Sequence, residues 1–196
     1  MNTIFVEEKI KYTGKELSPH WIYKKFNRMG DSICAFLGEV EVKLTEMVDI
    51  EDVIDNSPIY SKEMLNFIVE IFEIPLIQAV YIQRLLITTI KEELENRGFF
   101  IKRDGDDLFF EDGKLTVSIA TKSITSTLIH TGINIQSEGA PIKVSALNDM
   151  GIQDIENFAK TIMEKFNNEV EDIKLATTKV RGVFWNRIIF RIKNKN

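Results

Sequence analysis

The clearest hydrophobic pattern lies in the second half of the chain, where apolar and polar residues alternate with the period of a β-strand. The four segments that show it are Phe99–Arg103, Asp107–Phe110, Leu115–Ala120 and Thr125–Ile135. The first three are separated by Asp104-Gly105 and Asp112-Gly113. Asp-Gly between two β segments is a strong hairpin signal, because glycine accepts the positive φ of a tight turn. The pattern therefore predicts an antiparallel meander of four strands.

Three other segments carry apolar residues at spacings of three and four, which is typical of an amphipathic helix. The first covers Ser61–Glu73 and the third covers Asp154–Thr177. The second follows Pro75 and ends at Gly98, a residue suited to the left-handed terminus of a helix. The sequence thus predicts three helices, two of them before the meander and one after it.

The first sixty residues carry weaker signals of both kinds. The predicted elements are a strand at Ile4–Val6, a helix over Ser18–Phe26 capped by Ser18-Pro19, strands over Asp31–Leu37 and Gly38–Leu44, and an irregular segment over Met47–Ser57. Near the other end, Val183–Phe190 fits either a strand or a helix. Helices on one side of an antiparallel sheet define an α+β fold. A chain of 196 residues has the size of one domain, so we expect a single domain over residues 1–196.

The composition limits the possible cellular compartments and partner classes of the protein. The formal net charge of −5 argues against nucleic acid as the main partner, because such binding depends on a high density of Lys and Arg. Cys34 is the single cysteine, so an internal disulfide is excluded, as is usual in a reducing compartment. No apolar run approaches the roughly 20 residues that span a bilayer, and the N-terminus lacks a signal-peptide pattern. We therefore expect a cytoplasmic protein with no membrane partner.

The sequence contains none of the common short motifs that by themselves identify a phosphate-binding loop or a zinc site. The chain has neither common type of phosphate-binding glycine loop, and one cysteine with two distant histidines, His20 and His130, does not form a zinc pattern. We predict no metal site. A nucleophile pair of Cys34 and His130 stays open as an alternative.

Two segments remain as candidates for chemistry. Asp107–Leu115 places Lys114 where a strand begins, and His130–Ile135 places a small polar cluster where the next strand ends. Lys114 is either a cation aimed at an acyl or phosphate oxygen or an exposed lysine after a turn. Asp107 either orients that lysine, contacts a ligand, or belongs to the turn.

The residues of the second segment have alternatives of the same kind. His130 either binds substrate or transfers a proton, or it is a hydrogen-bonded core residue. Gly132 allows close approach of a ligand or of another chain segment. Asn134 satisfies local backbone groups. From the residues alone, these alternatives remain open.

The first of these segments, Asp107-Leu-Phe-Phe-Glu-Asp-Gly-Lys114-Leu115, resembles the Asp-Leu, turn, Lys-Leu segment of biotin protein ligases, in which the lysine contacts the acyl-adenylate. Lipoate ligases and octanoyl transferases carry a similar Gly-Lys before a hydrophobic strand. His130-Thr-Gly132-Ile133-Asn134-Ile135 is similar to the His-Gly…Asn pattern of the transferases and to the Gly-Ile-Asn pattern of the biotin ligases. This resemblance covers residues 99–166. It implies a catalytic Lys114 and substrate contacts from Asp107, His130, Gly132 and Asn134.

Over its whole length the chain resembles an uncharacterised, largely archaeal family, domain of unknown function 366. The further segments that carry this resemblance are Tyr12–Trp21, Asp31–Phe36 and Asn56–Pro58. Membership implies the fold of class II aminoacyl-tRNA synthetases and biotin/lipoate ligases. It implies no particular reaction.

The chain departs from the ligases and transferases in two respects. Their Arg/Gly-rich loop, which in the biotin ligases wraps the adenylate, has its nearest counterpart in Arg28-Met-Gly30-Asp31, so the use of ATP as a cofactor stays open. The octanoyl transferases use a cysteine nucleophile downstream of the His-Gly…Asn segment. No cysteine follows Asn134 here, which argues against transfer through a thioester.

Three hypotheses of function follow. The leading one is an enzyme that activates or transfers a small carboxylic acid, with Lys114 stabilising the acyl or adenylate group and an acyl-acceptor protein as a further partner. The alternative is a noncatalytic module with the same fold, which either binds a small molecule or has a regulatory role. A third is an RNA-associated accessory protein, based on the basic C-terminal residues. Homodimerisation is compatible with each of them.

Overall fold

The structure is a computed structural model that describes residues 1–137 and 143–182. The strands are β1 (Asn2–Val6), β2 (Ser32–Val42), β3 (Ile59–Phe72), β4 (Ile101–Asp104), β5 (Asp107–Phe110), β6 (Gly113–Lys114), β7 (Thr116–Lys122) and β8 (Ser126–Asn134). The helices are α1 (Trp21–Phe26), α2 (Ile50–Ile54), α3 (Leu76–Asn96) and α4 (Ile155–Thr178), and a short 3₁₀ helix covers Leu44–Glu46. These elements confirm the predicted α+β class. Val183–Phe190, for which the sequence left two conformations open, lies outside the described residues.

Five strands form the main sheet in the order β1-β2-β3-β8-β7, and three short strands form a second sheet in the order β4-β5-β6. β1 runs parallel to β2, whereas the other pairs are antiparallel. The prediction of one four-strand meander is therefore wrong, because the chain passes from the small sheet to the main sheet at Leu115. The two sheets are joined where the backbone N–H of Leu108 donates to the Thr116 hydroxyl at 2.9 Å.

The predicted helix over Ser61–Glu73 is wrong, since this segment forms most of β3 in the middle of the main sheet. Every residue from Met64 to Ile71 is buried. A strand that is covered on both faces is apolar on both faces, so its sequence also contains apolar residues at helical spacing. Pairing of β3 with β2 and β8 satisfies the backbone groups that a helix would have paired internally.

Each face of the main sheet has its own apolar cluster. α3 and α4 pack on one face, where Phe67, Leu86 and Phe158 are fully buried, and both helices agree with the predicted segments. Gly98 follows α3 with a φ of 92°, as the sequence predicts for that terminus. Ile10, Tyr12, Leu17 and, from α1, Ile22 belong to the cluster on the other face. Within the part of the chain that the structure describes, none of the helices combines the length and apolar character needed to cross a membrane.

The N-terminal part differs from the prediction in three places. Residues 31–44, predicted as two strands, contain the single strand β2 with an irregularity between Gly38 and Val40. α1 begins later than predicted and without a cap from Ser18, because its first flanking residue is His20, in a left-handed conformation with no side-chain cap. Met47–Ser57 is not wholly irregular, since it contains α2, which is capped by the Asp49 carboxylate accepting from Glu51 N at 2.9 Å.

The two Asp-Gly turns also differ from each other. Gly105 has a φ of 61° in the β4–β5 turn, as predicted. In the second turn the residue with positive φ is Glu111, at 51°, and Gly113 is already paired in β6. A Cβ on Gly113 would lie 2.3 Å from Ser145 Oγ. Gly113 therefore serves close packing of the chain segment around Ser145 and not the turn itself.

Residues 10–12 lie alongside β2 at its irregularity and form part of the layer over the sheet. Three backbone hydrogen bonds of 2.8–2.9 Å join Ile10 and Tyr12 to this part of β2. A Cβ on Gly38 would lie 1.9 Å from the carbonyl oxygen of Ile10. Only glycine leaves room for this arrangement.

We predict that Gly38→Ala lowers the free energy of unfolding by about 1–3 kcal/mol, because the added methyl group meets backbone atoms that cannot rotate away. Gly182→Ala is the control, since a Cβ there has no neighbour within 4 Å among the described residues and should change stability by less than about 0.5 kcal/mol. Urea unfolding of both variants beside wild type measures the difference. Equal unfolding free energies for all three proteins would contradict the packing of residues 10–12 against β2.

Candidate functional site

A cavity of about 700 Å³ opens on the face of the main sheet opposite α3 and α4. Side chains of β3, β7 and β8 form its floor, among them Met64, Ile119 and His130. Residues between Val42 and Ser61, including those of α2, form one wall, and Asp106, Asp107 and Lys114 form another. Tyr12 and Leu17 close the side toward the N-terminal segment. Of the residues predicted from the sequence, Asp107, Lys114, His130 and Asn134 all line this cavity.

Lys114 and Asp107 form an ion pair at the cavity wall. Pairing of β5 with β6 brings the two residues to neighbouring strands, and Lys114 Nζ lies 2.9 Å from Asp107 Oδ2. About a third of each side chain is exposed, 31% in both cases, so the pair remains accessible to a ligand. Asp107 thus has the geometry of a residue that orients the lysine, which is one of the roles considered from the sequence.

Asn134 holds the backbone of β6 in place. Its side-chain N–H groups donate to the carbonyl oxygens of Lys114 at 3.2 Å and Ser145 at 3.3 Å. Ser145 N in turn donates to Lys114 O at 3.0 Å. The position of the lysine backbone therefore depends on an asparagine at the end of the main sheet, and the amide oxygen of Asn134 is left to accept a hydrogen bond.

His130 is an uncharged floor residue. It is 4% exposed, its ring stacks on Tyr12 with centroids 3.8 Å apart, and its Nε2 lies 3.0 Å from Asn66 Oδ1. Because the Asn66 amide N–H donates to Met64 O at 3.2 Å, we assign the Nε2–H of His130 as donor to Asn66 and Nδ1 as an acceptor. Burial lowers the pKa of His130 to about 3. This imidazole is suited to hydrogen bonding and is poorly suited to carrying a proton at neutral pH.

Gly132 does not line the cavity, in contrast to His130 and Asn134 on the same strand. A Cβ at this position would lie 2.9 Å from Met64 Cε and 3.3 Å from Val117 Cγ2. The close approach that the sequence predicts for Gly132 is therefore made by side chains of the protein.

Acidic residues dominate the charge around the cavity. Its described lining contains the six carboxylates of Glu46, Asp49, Glu51, Asp52, Asp106 and Asp107, and Lys114 is the one lining cation among the described residues. Burial raises the pKa of Asp52, and the neighbouring charge of Asp49 raises it further. Burial also raises the pKa of Asp106, although Arg84 Nη1 lies 3.0 Å from its Oδ1 in an ion pair without hydrogen-bond alignment. In residues 1–137 and 143–182, no three or more His, Cys, Asp or Glu side chains are grouped as a metal site would require.

Three residues of the site were not found from the sequence. Tyr12 lies more than a hundred residues from His130 along the chain, and Asn66 lies in the segment predicted as a helix. Asp52 belongs to the segment predicted as irregular. The alternation of Leu65, Phe67, Val69 and Ile71 was the available signal for the strand that carries Asn66.

The proposed pair of Cys34 and His130 is contradicted by the sheet register. Cys34 pairs with Ile68 of β3, and Ile68 pairs with His130, so a whole strand separates the two side chains. Neighbouring strands are about 4.8 Å apart, which places the two backbones at about twice that distance. Cys34 is fully buried, and this burial raises its pKa to about 12.

The fold is that of the biotin and lipoate protein ligases and is class II synthetase-like, as the comparison with solved structures shows. Biotin protein ligase from Aquifex aeolicus, in complex with biotin and ATP, superposes with a TM-score of 0.58 at 15% identity, over 88% of this chain and 72% of that one. A bi-partite lipoate protein ligase from an archaeal lipoylation system, that of Thermoplasma acidophilum, gives a TM-score of 0.59 at 10% identity, over 87% of this chain and 84% of that one. At these identities the likeness concerns the fold alone.

The chain belongs to the family described as domain of unknown function DUF366, whose model matches residues 1–181. The uncharacterized protein MJ0805 of Methanocaldococcus jannaschii is 41% identical over 180 residues, which cover 89% of this chain and 81% of that protein. A protein of unknown function from Pyrococcus horikoshi has a solved structure with a TM-score of 0.87 at 36% identity, over 93% of this chain and 98% of that one.

We predict that wild type loses about 1 kcal/mol more stability than His130→Gln between pH 5.5 and 4.5. The pKa of His130 is about 3 in the folded protein and 6.5 in an unfolded chain. The unfolded state therefore takes up the proton first as the pH falls below about 6.5, which destabilises the folded state progressively down to the folded pKa. Wild type and variant carry the same carboxylates, so the difference between them removes the contribution of the carboxylates to the pH dependence of stability. Urea unfolding at both pH values provides the comparison, and equal losses would contradict a buried, neutral His130.

Proposed function

We propose that this protein is an acyl-activating or acyl-transferring enzyme of the biotin/lipoate ligase type, acting on a small carboxylic acid. The observation that carries the proposal is the cavity lined by Lys114, Asp107, His130 and Asn134, on a fold shared with biotin and lipoate protein ligases. A cavity of about 700 Å³ has the volume of a typical small-molecule site.

Lys114 is the proposed catalytic residue. Attack on an acyl carbon places negative charge on the carbonyl oxygen, and an ammonium group at hydrogen-bond distance stabilises that charge. Asp107 holds Nζ of Lys114 at the cavity wall through their 2.9 Å contact. The lysine is therefore oriented before the substrate arrives, although an incoming carboxyl group has to share it with Asp107.

His130 and Asn134 are the proposed substrate-binding residues on the floor. With its pKa lowered by burial, His130 would act as a hydrogen-bond acceptor through Nδ1 and not as a proton carrier. Gly132 would act indirectly, by leaving room for the side chain of Met64 beneath the substrate.

The described residues of the cavity do not fit a nucleotide triphosphate by their own charge. Six carboxylates stand against the single lining cation Lys114, and a triphosphate would be repelled by that balance. The proposed reaction therefore does not include ATP. The form of the reaction that suits this cavity is transfer of an already activated acyl group, in which the bond to the acceptor forms and the activating group, AMP in the case of an adenylate, leaves.

The proposed partners follow from the same comparison. The Thermoplasma acidophilum ligase is described together with its E2 lipoyl domain as a lipoylation system, and we extend to this protein the proposal of an acyl-acceptor protein. A cytoplasmic location remains part of the proposal.

A noncatalytic ligand-binding module is the second candidate. The observation that favours it is the ion pair itself, because Asp107 neutralises the charge of Lys114 within the chain. Such a module would bind an acid or its activated form and release it unchanged.

We predict that Lys114→Ala reduces kcat/KM for acyl transfer by roughly 100- to 1000-fold, the loss expected when one donor to a developing oxyanion is removed. The donors are the adenylates of biotin, lipoate and octanoate, and the product formed with an amine acceptor is followed by mass spectrometry. Thermal stabilisation by the same adenylates reports binding, since a ligand at a hundred times its Kd adds about 2.7 kcal/mol.

Lys143→Ala is the matched control, because this lysine is 72% exposed and pairs with Asp112 outside the cavity lining. It should retain wild-type activity. Full activity of Lys114→Ala would refute the catalytic role of that lysine. Stabilisation of wild type by an adenylate without any product would instead support the binding module.

A further inference from the structure

We propose that the acid whose acyl group this cavity takes also carries a cationic nitrogen, so that the free acid is an amino-acid-like zwitterion. This inference rests on the proposed function, because it assigns the carboxyl end to Lys114. It adds a second subsite for an ammonium group, formed by the Asp49–Asp52 wall and the acceptor groups of the floor.

The charge of the lining provides the first observation. The carboxylates of Asp49 and Asp52 stand on the α2 side of the cavity, and Asp106 and Asp107 stand on the other side. Asp106 and Asp107 have cationic neighbours in Arg84 and Lys114. In the described residues, no ion pair neutralises Asp49 or Asp52, although Asp49 accepts from Glu51 N as the cap of α2 and the charge of Lys114 acts on Asp52. A cationic group on the ligand would reduce the mutual repulsion of these carboxylates, which an uncharged or purely anionic ligand would not do.

Unused acceptors on the floor provide the second, independent observation. Tyr12 is only 3% exposed and lines the cavity, yet its hydroxyl has no hydrogen-bond partner within the described residues. Asn134 is 7% exposed and uses its N–H groups on the backbone, which leaves Oδ1 free. The assigned tautomer of His130 leaves Nδ1 free in the same way.

The chemistry of these groups defines the ligand. Asn134 Oδ1 and His130 Nδ1 only accept hydrogen bonds, and a tyrosine hydroxyl both donates and accepts. A plain fatty acid offers no N–H donor to them, so it would displace water from these acceptors without replacing its hydrogen bonds. An ammonium group offers three hydrogen-bond donors, and its positive charge could pair with the carboxylates of Asp49 and Asp52.

The test uses three probes with the same six-carbon chain: 6-aminohexanoate, hexanoate and hexylamine. Calorimetric titration at low ionic strength measures their affinities for wild type and three variants, Asp52→Asn, Lys114→Ala and Asp112→Asn. Asp52→Asn keeps the shape of the side chain. Asp112→Asn makes the same change of charge outside the lining, at a carboxylate that is 87% exposed.

We expect 6-aminohexanoate to bind wild type at least about tenfold more tightly than hexanoate, which is the size of one hydrogen-bonded charged contact. Asp52→Asn should weaken both amines by a similar factor and spare hexanoate, and Asp112→Asn should change none of the three. Hexanoate binding as tightly as 6-aminohexanoate overturns the inference. Equal weakening of the amines by Asp52→Asn and Asp112→Asn also overturns it, as does the failure of both amines to bind.

Lys114→Ala separates this inference from the proposed function. If both hold, this variant weakens the two acids and spares hexylamine. If Lys114→Ala changes no affinity while Asp52→Asn weakens the amines, the ammonium subsite stands and the acid site at Lys114 fails. If hexanoate matches 6-aminohexanoate and both depend on Lys114, the acid site stands and the ammonium subsite fails.

Discussion

The central strand β3 is buried on both of its faces from Met64 to Ile71, so the protein must cover each side of the main sheet with different elements. The two long helices supply one cover, with Phe67 and Phe158 in its fully buried core. On the other side the cover is made by residues 10–12, Leu17 and α1, and it reaches only part of the sheet. The cavity occupies the remaining area of that face. Its existence follows from the partial cover that the described residues give to this face of the sheet.

The polar residues of β3 show the same constraint at the level of single atoms. A buried polar group without a partner costs about 1–3 kcal/mol, so each one has to be satisfied locally. Asn66 pairs with His130 across to β8. Glu70, which is 3% exposed, accepts from the Ser126 hydroxyl at 2.7 Å and from the backbone N–H of His20 at 2.8 Å. The second contact ties the start of α1 to the sheet, so one buried carboxylate helps to position the element that closes this face.

The hydrophobic periodicity of the sequence identified the elements that have one solvent-exposed face. α3 and α4 have a solvent face, and the β4–β5 hairpin contains an Asp-Gly turn, so their sequences show a clear period. β3 has no solvent-exposed face, so the spacing of its apolar residues matched the period of a helix as well as that of a strand. The site divides in the same way: Asp107 and Lys114 are close in sequence and meet through one hairpin. Tyr12 and Asp52 reach the cavity only through tertiary packing, which sequence spacing does not encode.

The contact between Gly38 and residues 10–12 has a consequence beyond folding. Tyr12 stands over His130 because residues 10–12 follow the backbone of β2, and that approach requires the missing side chain at Gly38. The aromatic ring is what keeps water from one side of the imidazole. The polarity of the cavity floor is therefore governed by the fit of two backbone segments, and Gly38, which does not line the cavity, determines how much water reaches His130.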